Sequence, residues 1–296
     1  MSPATKLLRW YKTNGRDLPW RKTRDPYKIL VSEIMLQQTQ VPRVLLFYKK
    51  WLTLFPTWKT LAKATNADVI RAWAGLGYNR RALILRDIAK KVTQNGIPKT
   101  LKEWQTLKGI GPYTASALMA FSQKARVLPI DTNIRRVLDR FFLGLPYPDQ
   151  QKDAELLKKS ETFLPNRGAY YDIPQALFDL ATDICIKTPL CTICPLRKEC
   201  KAATLFLAGT VIAPKAMLKK AKESRHRNKP YPDRIYRGRI LKLIREKNGM
   251  AKKEIGPYVD PDFQKDLDLL WLNAMMERLK KDGMITEKRN HLFLQI

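Results

Sequence analysis

The run Leu107-Lys108-Gly109-Ile110-Gly111 constrains this chain more than any other. Two glycines flank one apolar residue, so the backbone must turn there and a helix cannot run through. Thr100 opens a short helical pattern that ends at Leu107. Pro112, with fixed φ and no N–H, suits the first position of the helix that follows. The pattern predicts two helices joined by a tight hairpin. Free backbone N–H groups at such a helix start suit a phosphate, and an ordinary helix–helix turn is the bland alternative. The stretch continues to Asp131, a carboxylate just ahead of a basic helical pattern from Asn133 to Phe142.

Charge supplies the partner. The 296 residues carry 56 Lys+Arg against 27 Asp+Glu, a net +29, which favours a polyanion and above all nucleic acid. The longest apolar candidate, Thr204 to Pro214, is far too short to span a membrane. Lys6 and Arg9 have no apolar stretch behind them, so no secretory signal is expected. All 4 cysteines fall in the pattern Cys185-x5-Cys191-x2-Cys194-x5-Cys200. Clustered thiols point to one metal site in a reducing compartment, not to a disulfide framework. Four thiolates can hold a [4Fe–4S] cluster or zinc; a single CxxC with one distant Cys on each side is unlike paired zinc knuckles and favours the cluster.

Apolar residues recur at helical spacing through most of the chain. Asp25-Pro26 reads as the cap of a helix over Tyr27 to Gln38, Pro42 opens a helix to Phe55, and Asn66 caps the next, which ends at Gly75. A loop Gly75 to Asn79 leads to a helix that stops before Gly96. Three domain segments are expected: a helical domain over 1–213 that contains the 185–200 cysteine loop, a basic linker over 214–232, and a small domain over 233–296. In the last, helices over Ile235–Glu246, Ala251–Val259 and Leu269–Lys281 precede a hairpin around Lys288-Arg289-Asn290, the order of a winged helix.

Two carboxylates stand out. Glu33 lies in the otherwise apolar segment Ile29 to Leu36. Facing inward, it would have a raised pKa and could donate a proton near neutral pH; facing outward, it is a surface glutamate. Asp131 could be a helix cap or an anion at a reacting centre. Together they fit a glycosidic reaction, one acid protonating the leaving group and one anion steadying an oxocarbenium-like centre. Gln37 and Tyr78 offer an amide and an aromatic that could probe a duplex.

LPWR at Leu18–Arg21, DPYKILVSEIMLQQTQV at Asp25–Val41, WAGLGY at Trp73–Tyr78, LKGIGPYTA at Leu107–Ala115 and IDTNIRRVLDR at Ile130–Arg140 resemble the MutY adenine DNA glycosylases of the endonuclease III, helix-hairpin-helix superfamily. The resemblance covers roughly residues 5–203 and implies a mainly α, two-lobed helix-hairpin-helix glycosylase core with an iron–sulfur loop. It implies Glu33 as the acid that protonates adenine N7 and later activates water, Asp131 as the stabiliser of positive charge at C1′, and Asn133 as a positioning group. Leu18, Trp20, Arg21 and Gln175 would line the pocket for the extruded base, and Gln37 and Tyr78 would lie beside the opposite base. Gly109, Ile110 and Gly111 would contact phosphate, and Cys185, Cys191, Cys194 and Cys200 would ligate a [4Fe–4S] cluster. Tyr113 stands where bifunctional relatives carry a catalytic lysine, which implies base removal without strand cleavage.

The chain departs from the family pattern in places. The first cysteine gap is one residue short, Thr132 replaces the usual glycine, Asn79 a tyrosine and Lys108 a proline. Residues 233–296 are too short for the Nudix-like domain of MutY proteins. The expectation is a cytoplasmic (in a bacterium, nucleoid-associated), monomeric, monofunctional enzyme that removes adenine opposite 8-oxoguanine or G in double-stranded DNA. Removal of T or U opposite G, and a non-catalytic iron–sulfur DNA-binding protein, are the alternatives.

Overall fold

The computed structural model describes residues 1–149, 153–165, 171–212, 214 and 223–296. Along the chain run α1 (Pro3–Asn14), α2 (Pro26–Leu36), α3 (Val41–Leu54), α4 (Trp58–Lys63), α5 (Asn66–Ala72) and α6 (Arg80–Asn95). Then come α7 (Leu101–Gln105), α8 (Pro112–Gln123), α9 (Thr132–Leu138), α10 (Asp153–Ser160), α11 (Asp172–Asp183) and α12 (Ala203–Leu207). The C-terminal region holds α13 (Asp233–Glu246), β1 (Met250–Ala251), α14 (Ile255–Val259), α15 (Lys265–Lys281), β2 (Ile285–Lys288) and β3 (His291–Leu294). The mainly helical fold class with a small C-terminal sheet is as the sequence predicts. No helix among the described residues is long and apolar enough to cross a membrane.

The chain divides into two compact units, each built from two stretches of sequence. One comprises Met1–Glu33 and Pro98–Leu218, the other Ile34–Ile97 and Lys219–Ile296.

In the first unit, α9 and α11 pack on each other and α1 packs on α11. Their apolar faces meet in one core: Leu7 from α1, Ile134, Val137 and Leu138 from α9, and Ile173, Leu177 and Leu180 from α11. Each such side chain contributes about 1.5–3 kcal/mol on burial. Helices α7 and α8 pack together across the glycine turn. Thr100 caps α7 by accepting from Glu103 N, and Gly109 has φ +94°, a conformation other residues adopt only with strain. A Cβ on Gly111 would meet nothing within 4 Å, so that side of the turn is open.

In the second unit, α4 and α5 pack on α6. Thr65, not Asn66, caps α5: its hydroxyl accepts from Asp68 N, while Asp68 accepts from Thr65 N. Both residue types cap well; here the reciprocal pair three residues apart decides, and Asn66 instead donates to Gly283 O. The C-terminal strands form an antiparallel sheet in the order β1-β3-β2, with Met250 opposite Leu292 and Ile285 opposite Leu294. Arg289 and Asn290 take positive φ, +48° and +61°, in the two-residue turn between β2 and β3. The expected helix Ala251–Val259 divides, because Ala251 pairs with His291 in the sheet. One core joins Ala67, Ile70 and Leu83 of α5 and α6 to Tyr236, Ile240, Leu272, Met276, Ile285 and Leu292.

The linker segment is described from residue 223 on; its Lys215, Lys219, Lys220 and Lys222 lie outside the described residues. Lys229 is buried between Asp260 and Asp268, at 2.5 and 2.8 Å. His226 stacks on Trp271 with ring centroids 4.8 Å apart.

Candidate active site

Helix α2 is apolar on almost every side: Ile29, Leu30, Val31, Ile34 and Met35 are all buried. Glu33 shares their environment at 7% exposure, so the inward alternative holds. Its Oε2 accepts a 2.8 Å hydrogen bond from the Tyr113 hydroxyl on α8. Burial raises the Glu33 carboxyl from 4.5 to about 7; the Tyr113 bond opposes that shift and the charge of Asp131 adds to it. Burial, helped by the charge of Glu33, also holds the Tyr113 hydroxyl well above its usual value, so it acts as a donor. Loss of hydration thus outweighs the hydrogen bond, and it keeps a carboxylic acid partly protonated at neutral pH.

Asp131 is the cap the sequence allowed, and its carboxylate also acts electrostatically on Glu33 and Tyr113. It is the N-cap of α9, with Oδ1 accepting from Asn133 N at 2.9 Å and Ile134 N at 2.7 Å. Its Oδ2 accepts from Asn133 Nδ2 at 2.9 Å. Arg136 Nη1 in turn donates to Asn133 Oδ1 at 3.1 Å. The cap therefore fixes the direction of a carboxylate whose field reaches Glu33 and Tyr113. The first unit thus gathers Glu33, Tyr113, Asp131 and Asn133.

Leu18 and Trp20 are buried at 6% and 7% exposure, and Gln175 lies buried on α11. Arg21 has a partner that sequence reasoning missed. Asp179 on α11 is fully buried and receives both Arg21 Nη atoms at 2.7 Å, Arg16 Nε at 2.6 Å and Arg16 N at 2.9 Å. Burial alone would raise the Asp179 carboxyl. The hydrogen bonds and charges of Arg21 and Arg16 outweigh it and hold the group below the usual range. An acid on an amphipathic helix gives no sequence signal of this kind; only the excess of nearby Arg16 and Arg21 could have hinted at it.

In the second unit, Gln37 and Tyr78 line a common depression with Arg81. Arg81 is buried, and it donates to the carbonyls of Ile34 and Met35 at 2.9 Å each and of Gly77 at 3.0 Å, and to that of Gln37. It thereby ties the end of α2 to the loop before α6. Burial lowers the Arg81 guanidinium to about 10, and it stays charged at neutral pH.

The four cysteines line one small cavity with Arg140 and Phe206. Arg140 donates to the carbonyls of Ile186 at 2.7 Å and Lys187 at 3.1 Å, and its Nη1 lies 3.4 Å from Cys185 Sγ. Arg136 donates to Cys185 O and Ala181 O at 2.8 Å. Two arginines thus shape the loop despite its short first gap. Burial pushes the Cys194 thiol up to about 12 and the Cys200 thiol up to about 11, which disfavours free thiolate chemistry. Among the described residues no group of three or more His, Cys, Asp or Glu forms a ready site for a metal ion. All four cysteines nevertheless line this one cavity, and thiolates are the donors an iron–sulfur cluster takes.

The model of the HhH-GPD superfamily base excision DNA repair proteins matches residues 31–162, which include Glu33, Tyr113 and Asp131. An adenine DNA glycosylase of Mycolicibacterium smegmatis is 33% identical over 305 residues, covering 99% of this chain and 95% of that protein. The chain belongs to the HhH-GPD superfamily. An adenine DNA glycosylase of Mycobacterium tuberculosis is 40% identical over 201 residues; that match covers 65% of this HhH-GPD chain and 65% of the relative, about two thirds of its length. Among solved structures, a thermostable thymine-DNA glycosylase has TM-score 0.63 and 29% identity, over 68% of this chain and 94% of that one. A trapped endonuclease III–DNA covalent intermediate shares the fold, at TM-score 0.58 and 17% identity over 69% of this chain and 95% of that one. The MutY-type resemblance is borne out.

Proposed function

We propose that this HhH-GPD protein is a monofunctional adenine DNA glycosylase acting on adenine mispaired with guanine or 8-oxoguanine in double-stranded DNA. The observation that carries the proposal is Glu33, a buried acid held near pKa 7, with Tyr113 bound to it and Asp131 in its field. Protonated Glu33 gives its proton to the departing base as the C1′–N bond breaks. The Asp131 carboxylate, aimed by its three N–H donors, steadies the positive charge that grows at C1′. Ionised Glu33 then takes a proton from water, whose oxygen bonds to C1′, and the acid is restored. Extruding the base costs a few kcal/mol, least at a mispair, which favours mispaired adenine. Leu18, Trp20 and Gln175 receive the base. Arg21 reaches that pocket only through its backbone and stem, since its guanidinium is held by Asp179. Gly109, Ile110 and Gly111 hold backbone phosphate at the open side of the hairpin.

Single-turnover excision on A·8-oxoG, A·G, T·G and U·G duplexes tests this: cleavage of an adenine substrate, with no strand break before alkali, is expected. Inactivity on both adenine duplexes would refute it. The likeness to a thymine-DNA glycosylase favours removal of T or U opposite G as the second reading, and the same panel separates the two.

The acid role fixes a pH dependence. Glu33 must be protonated to act, so the excision rate falls as pH rises through about 7. The Tyr113 bond lowers the Glu33 pKa, so Tyr113→Phe should move that alkaline limb upward. A limb that stays in place in this variant argues against the contact.

Cys185, Cys191, Cys194 and Cys200 would hold a [4Fe–4S] cluster whose part is structural, ordering the loop that Arg136 and Arg140 also brace. Protein purified under anaerobic conditions with iron and sulfide should have broad visible absorption, and Cys194→Ser should lose it. Stoichiometric zinc without colour would point to the other metal.

A further inference from the structure

In a helix-turn-helix or winged-helix protein, the N-terminal residues of the recognition helix contact base edges. That position here belongs to α15, and its chemistry is wrong for the task. Asp266, Leu267, Leu269 and Leu270 are exposed there, with Leu270 at 85%. Lys265 is exposed beside them, but an acid and three leucines offer no phosphate contact and no hydrogen bond to a base edge, so this face is poorly suited to a DNA groove.

The positive charge of the same unit lies elsewhere. An open depression of about 620 Å³ is lined by Arg80 at the start of α6, Arg234 and Arg237 at the start of α13, and Arg278 near the end of α15. Asp282 is the one acid in its lining, and it is shared by Arg80 at 3.6 Å and Arg278 at 3.7 Å. Arg234 pairs with Glu223 at 2.9 Å. Arg237 is half-buried and has no acidic partner among the described residues. Cationic charge therefore remains uncompensated along the floor. Gly77 and Gly238 also line it, and a Cβ on either would meet nothing within 4 Å, so a ligand backbone can approach closely. Gln37 and Tyr78 line it too, and Tyr78 is 53% exposed.

We propose that the C-terminal domain binds the phosphodiester backbone of duplex DNA through this arginine depression, and not through α15. This rests on the DNA-repair reading above and extends it. Residues 233–296 lengthen the phosphate-contacting surface beside Gln37 and Tyr78 without reading sequence. Phosphate contacts position a protein and make affinity depend on salt, by about one counterion per neutralised phosphate.

The test is fluorescence anisotropy of the full chain with a labelled duplex carrying one A·G mispair, over a range of KCl. Arg237→Ala should weaken binding and reduce the slope of log K against log salt by about 1, and Arg234→Ala/Arg237→Ala by about 2. Arg237→Lys keeps the charge and should keep the slope, which separates a phosphate contact from misfolding. Leu270→Ser on α15 should change neither. An unchanged slope in the double alanine variant, or a larger loss from Leu270→Ser, overturns the proposal. Excision by the unsubstituted chain is measured alongside. Excision with unaltered slopes would sink the depression alone. Altered slopes without excision of any mispaired base would sink the glycosylase reading alone.

Discussion

Glu33→Gln is expected to lose adenine excision and to gain stability in a pH-dependent way. Loss of a positioned general acid removes about 10²–10⁴-fold in rate. The stability effect follows from the same burial. Below about 4.5, Glu33 is protonated in the folded and the unfolded chain and costs nothing. As pH rises toward about 7, the unfolded chain releases its proton while the folded one keeps it, so the fold is penalised. Above that, the full cost is about 3 kcal/mol, at roughly 1.4 kcal/mol per pKa unit. Glutamine is never charged, so the variant should unfold at higher urea at pH 8 and at nearly the same urea at pH 4. An equal shift at both values, or retained excision, would mean that Glu33 is not the buried acid.

Asp179→Asn should strongly destabilise the first unit. Removing one partner of a buried ion pair typically costs about 3–5 kcal/mol, because the remaining charge is left unpaired. Here that charge is Arg21, whose side chain is 8% exposed. The Asp179 carboxyl is held below its usual 3.8, so its contribution is present above that value and is lost as pH falls through the lower, folded one. The gap between variant and parent should therefore close in acid. Arg21→Met in the Asp179→Asn background should recover part of the loss, since no buried cation remains. Denaturant melts of the parent, the two single variants Asp179→Asn and Arg21→Met, and the double variant measure this; additive effects of the two substitutions would refute the coupling.

How far the sequence reaches depends on the kind of interaction. The helices α2 and α8 announce themselves through runs of apolar residues, and Pro112 and Thr100 mark helix boundaries by chemistry local to a few residues. Glu33 could be singled out as a lone acid among apolar neighbours. Whether it faced inward depends on the packing of α8, and that packing also brings Tyr113 to it. Asp131 was legible twice, as a cap and as a candidate anion, and these two uses are compatible because the cap bonds leave its field directed at Glu33. Asp179 was invisible because its partners lie more than 150 positions away in the chain. Asn66 was misjudged as a cap because two adjacent good capping residues compete, and the choice rests on hydrogen bonds that spacing does not encode. The apolar residues of α5 and α6 recur at helical spacing. Nothing in that periodicity says that residues of α13 and α15 cover them.

That shared core bears on the order in which the protein is made. Ala67, Ile70 and Leu83 leave the ribosome well before Leu292 and Leu294, which share their core. Loop closure over so long a span is slow, and the apolar face waits exposed until those later residues emerge. The first unit shares this delay, since Met1–Glu33 must wait for Pro98–Leu218. Nascent chains stalled before residue 233 should therefore be the form of this protein that most needs a chaperone.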